Sequence, residues 1–558
     1  MNTLLVAVNA KYIHTALSVR TLYRYAQEHV NSAELGFAEF TINEREFDVL
    51  SSIYRMRPKA VLFSCYIWNI GFILNVADML KKAAPDVLIV LGGAEVSFNP
   101  VSYLERYPFV DAVFCGEGEE TVREFLEKGV DIDGSVFRRG DEIVVNKPRR
   151  EICDISSIPF PYVDEEMDEI KDKLIYYESS RGCPFRCSYC LSSTTHNVRF
   201  RDIDLVKEEL MFFIRHRVRI VKFTDRTFNA DRKRAAELIR FIAENSSGTE
   251  FHFEIAADLI NDEIIDIFKN APKGIFRLEI GVQSTNPQTI AAIDRKTDFD
   301  AICSAVKALK EAGTVHMHLD LIAGLPYEDY ASFKRSFDDV FGLAPDELQL
   351  GFLKLLHGTK IRNEESRFGY RYSSSPPYEV IANDFMGFDE LLALKGFEEV
   401  FEKFYNSGVF KASMEYLLTL YSSPFDMFDA VRRYLEDIGV SLANQARGRL
   451  YELLAEFRAD DELLRDCLKL DFLANSKNAS TPKWSNQPFD TAFLKRRFEI
   501  LTPEFIAANL PEFADTPVRE IIKFLHFERF LYALPRSYER RDTVLLFDYK
   551  HGRIINLI

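Results

Sequence analysis

Two stretches of this chain alternate short apolar runs with helical patterns, and that alternation constrains the fold more than any other feature. In the first, residues 3–8, 60–64, 87–91 and 112–115 are strand-like, and residues 16–29 and 71–83 carry apolar side chains at helical spacing. In the second, a strand-like run at 174–178 is followed by others at 220–224, 251–256, 276–282, 316–323 and 348–353. Parallel strands need a crossover, usually a helix, so this alternation predicts parallel sheets. Such sheets bind ligands outside the carboxyl ends of their strands. The chain is therefore expected to be α/β, with a doubly wound Rossmann-like domain over residues 1–145 and a second parallel domain over 173–370. Residues 146–172 read as a linker, with Ile158-Pro159-Phe160-Pro161 as a stiff, extended crossing. Residues 371–558 read as a helix-rich domain, with helical patterns at 380–394, 397–406, 410–422, 424–438 and 441–458 and a late strand at 543–549.

The strand at 174–178 runs into Arg181-Gly182-Cys183-Pro184-Phe185-Arg186-Cys187-Ser188-Tyr189-Cys190. This C-x3-C-x2-C loop offers Cys183, Cys187 and Cys190 as metal ligands. A 4Fe-4S cubane is usually held by four thiolates, so a three-cysteine loop leaves one iron open to another ligand. The alternative is a structural zinc with His196 as fourth ligand. Structural zinc sites mostly pair two C-x2-4-C knuckles, and the sequence has no second knuckle.

The loop and its surroundings resemble the radical S-adenosylmethionine (SAM) enzymes, whose core is a partial (β/α)6 barrel. Arg277-Leu278-Glu279-Ile280-Gly281-Val282-Gln283-Ser284 is similar to the fourth-strand segment of oxygen-independent coproporphyrinogen dehydrogenases and their relatives. Asp320-Leu321-Ile322-Ala323-Gly324-Leu325-Pro326 resembles the fifth-strand segment. The resemblance implies that Gln283, Ser284, Gly324, Leu325 and Pro326 lie near SAM, with Glu279 and Asp320 beside them. It also implies a contact from Asp225 after the second strand, where the family's common Gly-Gly-Glu triplet is absent. Plainer readings stand next to these: Gln283-Ser284 as a strand end, Gly324-Leu325-Pro326 as a turn, and Asp225 as the ion-pair partner of Arg226.

Four strand-end loops mark the first domain. They begin Asn9-Ala10-Lys11-Tyr12-Ile13-His14, Ser64-Cys65-Tyr66-Ile67-Trp68-Asn69, Gly92-Gly93-Ala94-Glu95-Val96-Ser97 and Gly116-Glu117-Gly118-Glu119-Glu120-Thr121. These loops, the last two above all, resemble the cobalamin-binding domain that precedes the barrel in cobalamin-dependent radical SAM proteins. The resemblance implies cobalamin contacts from Asn9, His14, Ser64, Tyr66, Trp68, Gly92, Gly93, Glu95, Ser97, Gly116, Glu117 and Gly118. Gly92 and Gly93 permit close backbone approach to a large flat ligand, and Ser64 and Ser97 can hydrogen-bond amides. Glu117 and Glu119 also suit the start of a helix, where the dipole tolerates acids. The D-x-H-x-x-G loop that ligates cobalt in cobalamin mutases is absent around His14, so no histidine–cobalt bond is expected. The tail resembles the DUF4080 extension of one group of these proteins, through Leu470-Asp471-Phe472 and Leu546-Phe547-Asp548-Tyr549.

A formal net charge of −16 disfavours a general nucleic-acid binder. Of eight cysteines only three cluster, which suits free thiols in a reducing cytoplasm. No signal pattern and no apolar run of about 18 residues occurs, so no membrane span is expected. The resemblance implies reductive cleavage of SAM to a 5′-deoxyadenosyl radical, with an electron from a flavodoxin or ferredoxin-type donor. With cobalamin it implies C-methylation of an unactivated carbon in a small-molecule or peptide substrate. Cyclisation, rearrangement or oxidation by the same parts is the alternative. A tRNA methylthiotransferase would carry three strand-end cysteines in its first domain, where this chain has Cys65 and Cys115. A non-catalytic cobalamin sensor would have no use for the cysteine loop.

Overall fold

A computed structural model describes residues 2–30, 34–195, 197–246, 248–476, 482–485 and 499–557. His196, the candidate zinc ligand, lies outside the described residues. Strands β1 (Thr3–Asn9), β2 (Leu35–Thr41), β3 (Ala60–Ser64), β4 (Leu88–Gly92) and β5 (Ala112–Phe114) are parallel, and β6 (Ser135–Arg139) and β7 (Glu142–Val145) add an antiparallel hairpin. The sheet order is β2-β1-β3-β4-β5-β6-β7. Alternate residues enter opposite cores: Leu4, Val6, Val61, Phe63, Ile89 and Leu91 on one face, Leu5, Ala7, Leu62, Val90 and Phe114 on the other. Burial on both faces is why these strands read as unbroken apolar runs. The strand β2 escapes that reading because its edge position tolerates Glu39, which pairs with Arg20. The order places the topological switch point between β1 and β3, the crevice where such sheets take their ligands.

The second sheet begins at β8 (Leu174–Tyr177), followed by a small antiparallel pair, β9 (Ser180–Arg181) and β10 (Arg199–Phe200). Then come β11 (Ile220–Phe223), β12 (Glu250–Ile255), β13 (Phe276–Gln283), β14 (Val315–Ala323) and β15 (Glu347–Phe352). Six parallel strands in the order β15-β14-β13-β12-β11-β8 form an open (β/α)6 barrel wall. The two sheets meet at one point. Leu174 donates to Ile13 O (2.6 Å) and accepts from Thr15 N (3.2 Å), a single parallel bridge opposite His14.

The pair β16 (Arg371–Tyr372) and β17 (Val380–Ala382) follows. The helical pattern expected from residue 380 starts instead at Phe388–Phe401. Asn383 breaks it: its side chain accepts from Phe385 N and Met386 N and closes a turn. Residues 1–391 form one compact unit. Residues 392–558 form another, of helices and an antiparallel sheet β18 (Leu525–Tyr532), β19 (Arg540–Asp548) and β20 (Arg553–Asn556). No described helix is long and apolar enough to cross a membrane.

Candidate functional site

A cavity of about 900 Å³ lies between the amino-terminal strand ends and the barrel. That is the upper end of the size range of small-molecule sites. The loops after β1, β3, β4 and β5 line one side, contributing Asn9, His14, Ser64, Tyr66, Trp68, Gly92, Gly93, Ser97, Gly116, Glu117 and Gly118. The barrel contributes Tyr176, Lys222, Thr224, Arg226 and Glu254; Arg181 and Gly182 at the start of the cysteine loop and Leu191 and Ser192 just past its end also line it, whereas Cys183, Cys187, Cys190 and Gln283 are not among the lining residues. Glu95 is not among the lining residues. It is buried, and its carboxylate accepts from the Tyr103 and Tyr378 hydroxyls (2.9 and 2.5 Å).

The loop residues differ in what they leave free. Gly93 has φ +113°, and a Cβ there would sit 2.6 Å from Cys65 O, so this glycine serves the packing of two loops on each other. Gly116 has φ +80° and nothing within 4 Å of a built Cβ. Ser97 donates to Gly93 O and accepts from Gly116 N, whereas Ser64 shares its hydroxyl with Ser18 at 3.0 Å. The Tyr66 and Trp68 rings stack at 4.4 Å. His14 reaches the Tyr176 hydroxyl through Nδ1 at 3.2 Å. Burial, with Lys11 and Lys222 nearby, depresses the imidazole below its ordinary value.

The cysteine loop is pinned at its base. Gly182 has φ +105°, and a Cβ there would meet Asn197 O at 2.3 Å. Asp225 is buried and accepts from Ser179 N (2.8 Å), Ser179 Oγ (2.7 Å) and Ser180 Oγ (2.6 Å). It thus fixes the approach to the loop, while Arg226 faces Glu254 at 4.0 Å. Burial raises the Asp225 carboxyl, against those hydrogen bonds. Cys183 Sγ lies 3.5 Å from Thr227 Oγ1. Cys187 is buried, and Arg295 donates to its sulfur at 3.6 Å and to Gly281 O at 2.5 Å. Burial raises the Cys187 thiol and Arg295 opposes the rise. Three soft thiolates from one loop are the donor set of an iron–sulfur cluster.

Inside the barrel, Lys222 Nζ and His252 Nε2 both approach Glu279 Oε2, at 2.8 and 3.1 Å. Burial alone would raise Glu279, but His252 and Lys222 hold it well below the usual carboxylate range. Glu254 is opposite Glu279 in the β12–β13 register and lines the cavity. With Lys222 already engaged, its nearest cation is Arg226, and burial pushes its carboxyl up to about 7 against that charge. Glu254 belongs to no motif; the signal the sequence offers is the polar alternation Glu250, His252, Glu254 in an otherwise apolar strand.

Because Glu254 binds its proton more tightly folded than unfolded, its contribution to stability is full below about pH 4. That contribution is lost as pH rises through about 7. Glu254→Gln is expected to flatten the fall of the urea midpoint over that window. An unchanged slope would contradict a buried, weakly paired carboxyl.

The remaining barrel candidates fall into two groups. Gln283 has φ +72°, and its buried Oε1 has no partner among the described residues. Gly281 leaves room for that amide, since a Cβ there would lie 2.2 Å from Gln283 Nε2. The others are engaged by the protein. Ser284 donates to the buried Glu328 at 2.5 Å. Asp320, raised by burial, lies 3.0 Å from His318 Nε2. Gly324 O accepts from Tyr370 Oη (3.1 Å) and Asn383 Nδ2 (2.9 Å), and Leu325 is fully buried ahead of Pro326. Arg295, beside Cys187, was another residue that no motif singled out.

Family models match three successive parts of the chain: a B12 binding domain over residues 3–126, the radical SAM superfamily over 177–340, and a protein of unknown function (DUF4080) over 366–547. The chain thus carries a radical SAM domain preceded by a B12 binding domain. A DUF4080 region follows those two domains. It is 29% identical over 301 residues to the cobalamin-dependent radical SAM methyltransferase TokK of Streptomyces tokunonensis, covering 50% of this chain and 44% of that one. It is 28% identical over 250 residues to an anaerobic magnesium-protoporphyrin IX monomethyl ester cyclase of Synechocystis sp., covering 42% and 49%. The chain thus spans about half the length of the curated relatives it matches. The solved structure of the cobalamin-dependent SAM radical enzyme OxsB with aqua-cobalamin aligns with a TM-score of 0.61 at 14% identity, covering 90% of this chain and 84% of that one. At that identity the likeness is one of fold.

Proposed function

We propose that this chain is a cobalamin-dependent radical SAM enzyme that methylates an unactivated carbon of a small molecule or peptide. The observation that carries the reading is the cavity, which joins the four amino-terminal loops to the cysteine loop and the barrel strand ends. Cys183, Cys187 and Cys190 hold the 4Fe-4S cluster, with Arg295 set against the Cys187 sulfur. We assign Gln283, whose buried Oε1 has no partner among the described residues, as a hydrogen-bond acceptor for SAM. Ser64, Gly92 and Gly116 receive cobalamin at the β1/β3 switch point and the neighbouring loops. When bound, the cluster and SAM supply a carbon radical and cobalamin supplies a transferable methyl group. The protein's task is to seat them in one enclosed space and keep water out.

A flavodoxin or ferredoxin-type donor supplies the electron. Eight free cysteines fit a reducing compartment such as the cytoplasm. The methyltransferase relative supports methylation; the cyclase relative supports a second reading in which the same parts cyclise or oxidise the substrate. In the test, the anaerobically reconstituted, reduced protein is expected to release 5′-deoxyadenosine from SAM without added substrate and to shift the absorbance of hydroxocobalamin. Absence of both from folded, iron-loaded protein would rule out the reading. Once a substrate is found, a product lacking the mass of one added methyl group would favour the cyclase reading.

A further inference from the structure

The cysteine loop has a base of two residue pairs. In it Arg181 of β9 lies directly opposite Arg199 of β10. Like charges placed opposite each other across a strand pair repel. Here both arginines converge on one acid from the first domain. Glu117 Oε1 lies 2.5 Å from Arg199 Nη2 and 3.3 Å from Arg181 Nη1. Its Oε2 accepts from Arg199 Nη1 (3.2 Å) and from Ile152 N (2.8 Å). Arg181 is held further by Glu119 (2.8 Å) and Glu178 (2.7 Å), and Arg199 also donates to Ile152 O (2.6 Å). The side chains are largely shielded, with Arg199 10% and Glu117 16% exposed. Burial would raise the Glu117 carboxyl, but Arg199 and Arg181 hold it below its ordinary value.

We propose that Glu117 is a positioning residue, a clasp that fixes the cysteine loop against the amino-terminal strand ends by joining both arginines at the base of that loop. The proposal rests on the reading above for what the loop and cavity hold, and it reassigns Glu117 from ligand contact to geometry. Its carboxylate oxygens are taken by Arg181, Arg199 and Ile152. What it contributes is a set separation between the cysteine loop and the loop Gly116–Gly118, hence between the groups each would carry. Reactions between two bound groups are sensitive to such spacing.

Amide hydrogen exchange on the full-length chain, purified without cofactors, tests this directly. In Glu117→Gln, exchange at residues 180–182 and 197–200 is expected to rise by about tenfold or more, with β1 and β4 unchanged, because a charge-assisted bond is lost and the two arginines are left opposed. Glu117→Gln/Arg199→Gln should exchange no faster than Glu117→Gln, since removing one arginine relieves that repulsion. Wild-type exchange in Glu117→Gln, or simple addition in the double variant, would overturn the clasp. So would a Glu117→Gln protein that keeps loop protection but loses hydroxocobalamin uptake, because Glu117 would then be a ligand contact. A wild-type chain that takes up neither iron nor hydroxocobalamin would overturn the functional reading, and the exchange data would still decide the clasp.

Discussion

Replacing Cys183, Cys187 and Cys190 together by alanine is expected to take iron from about four per chain after anaerobic reconstitution to background. SAM cleavage should vanish with it. The loss should be specific, because the loop's shape does not depend on the thiols. Its base is set by β9–β10, by Gly182 against Asn197 and by Asp225 beneath Ser179 and Ser180. The far side is held by backbone bonds from Ser188 N to Ile293 O and from Ile361 N to Ser188 O. The cluster-free triple variant should therefore melt close to cluster-free wild type. Cys303→Ser should leave iron content unchanged, and Cys467→Ser should lower stability without touching iron, since Cys467 packs against Leu470 and Phe530. A full cluster in the triple variant would refute the assignment.

Gly116→Phe should abolish most hydroxocobalamin uptake, about tenfold or more, because a ring placed in the cavity excludes a ligand that must fill it. Gly116 lines the cavity, and the space beyond its built Cβ is open. The cost to folding is the left-handed φ, on the order of 1–2 kcal/mol for a non-glycine residue. Gly93→Ala makes the informative contrast. Its Cβ collides with backbone at Cys65, so the small side chain should lower the melting temperature while adding no bulk to the cavity. Uptake lost with stability kept in the first variant, and stability lost in the second, would separate a ligand surface from a structural glycine. Equal uptake by Gly116→Phe and wild type would remove these loops from the binding site.

The difference between those two glycines shows where sequence legibility stops. Both stand in loops that a motif picks out, and both have positive φ. Both line the cavity, but that a side chain added at Gly93 would strike Cys65 while one at Gly116 would meet open space depends on β3 and β4 lying side by side, a contact that no local pattern contains. The parallel sheets were legible because strands buried on both faces must be apolar throughout, and the cysteine loop was legible because its ligands are adjacent in sequence. Strand β2, whose edge position admits Glu39, was not. Glu254 and Arg295 were missed because each draws its meaning from distant partners, Arg226 and Glu279 for the one and Cys187 for the other. Glu117 was noticed for its motif, but Arg199 lies 82 positions away, and ion pairs across that span leave no periodicity.

The bridge between Ile13, Thr15 and Leu174 carries one more consequence. The strand β8 ends the barrel sheet, and a sheet edge is a template for stray pairing with another chain. Here the first loop of the other domain takes up that role in miniature. Ile13 O and Thr15 N complete the backbone bonds of Leu174, and the Thr15 hydroxyl receives Tyr176 N at 3.4 Å. The barrel therefore borrows its edge protection from residues more than 150 positions upstream. The barrel is not a free-standing cassette: recombining it with a foreign first domain would bare β8 unless the newcomer brought a loop of matching reach.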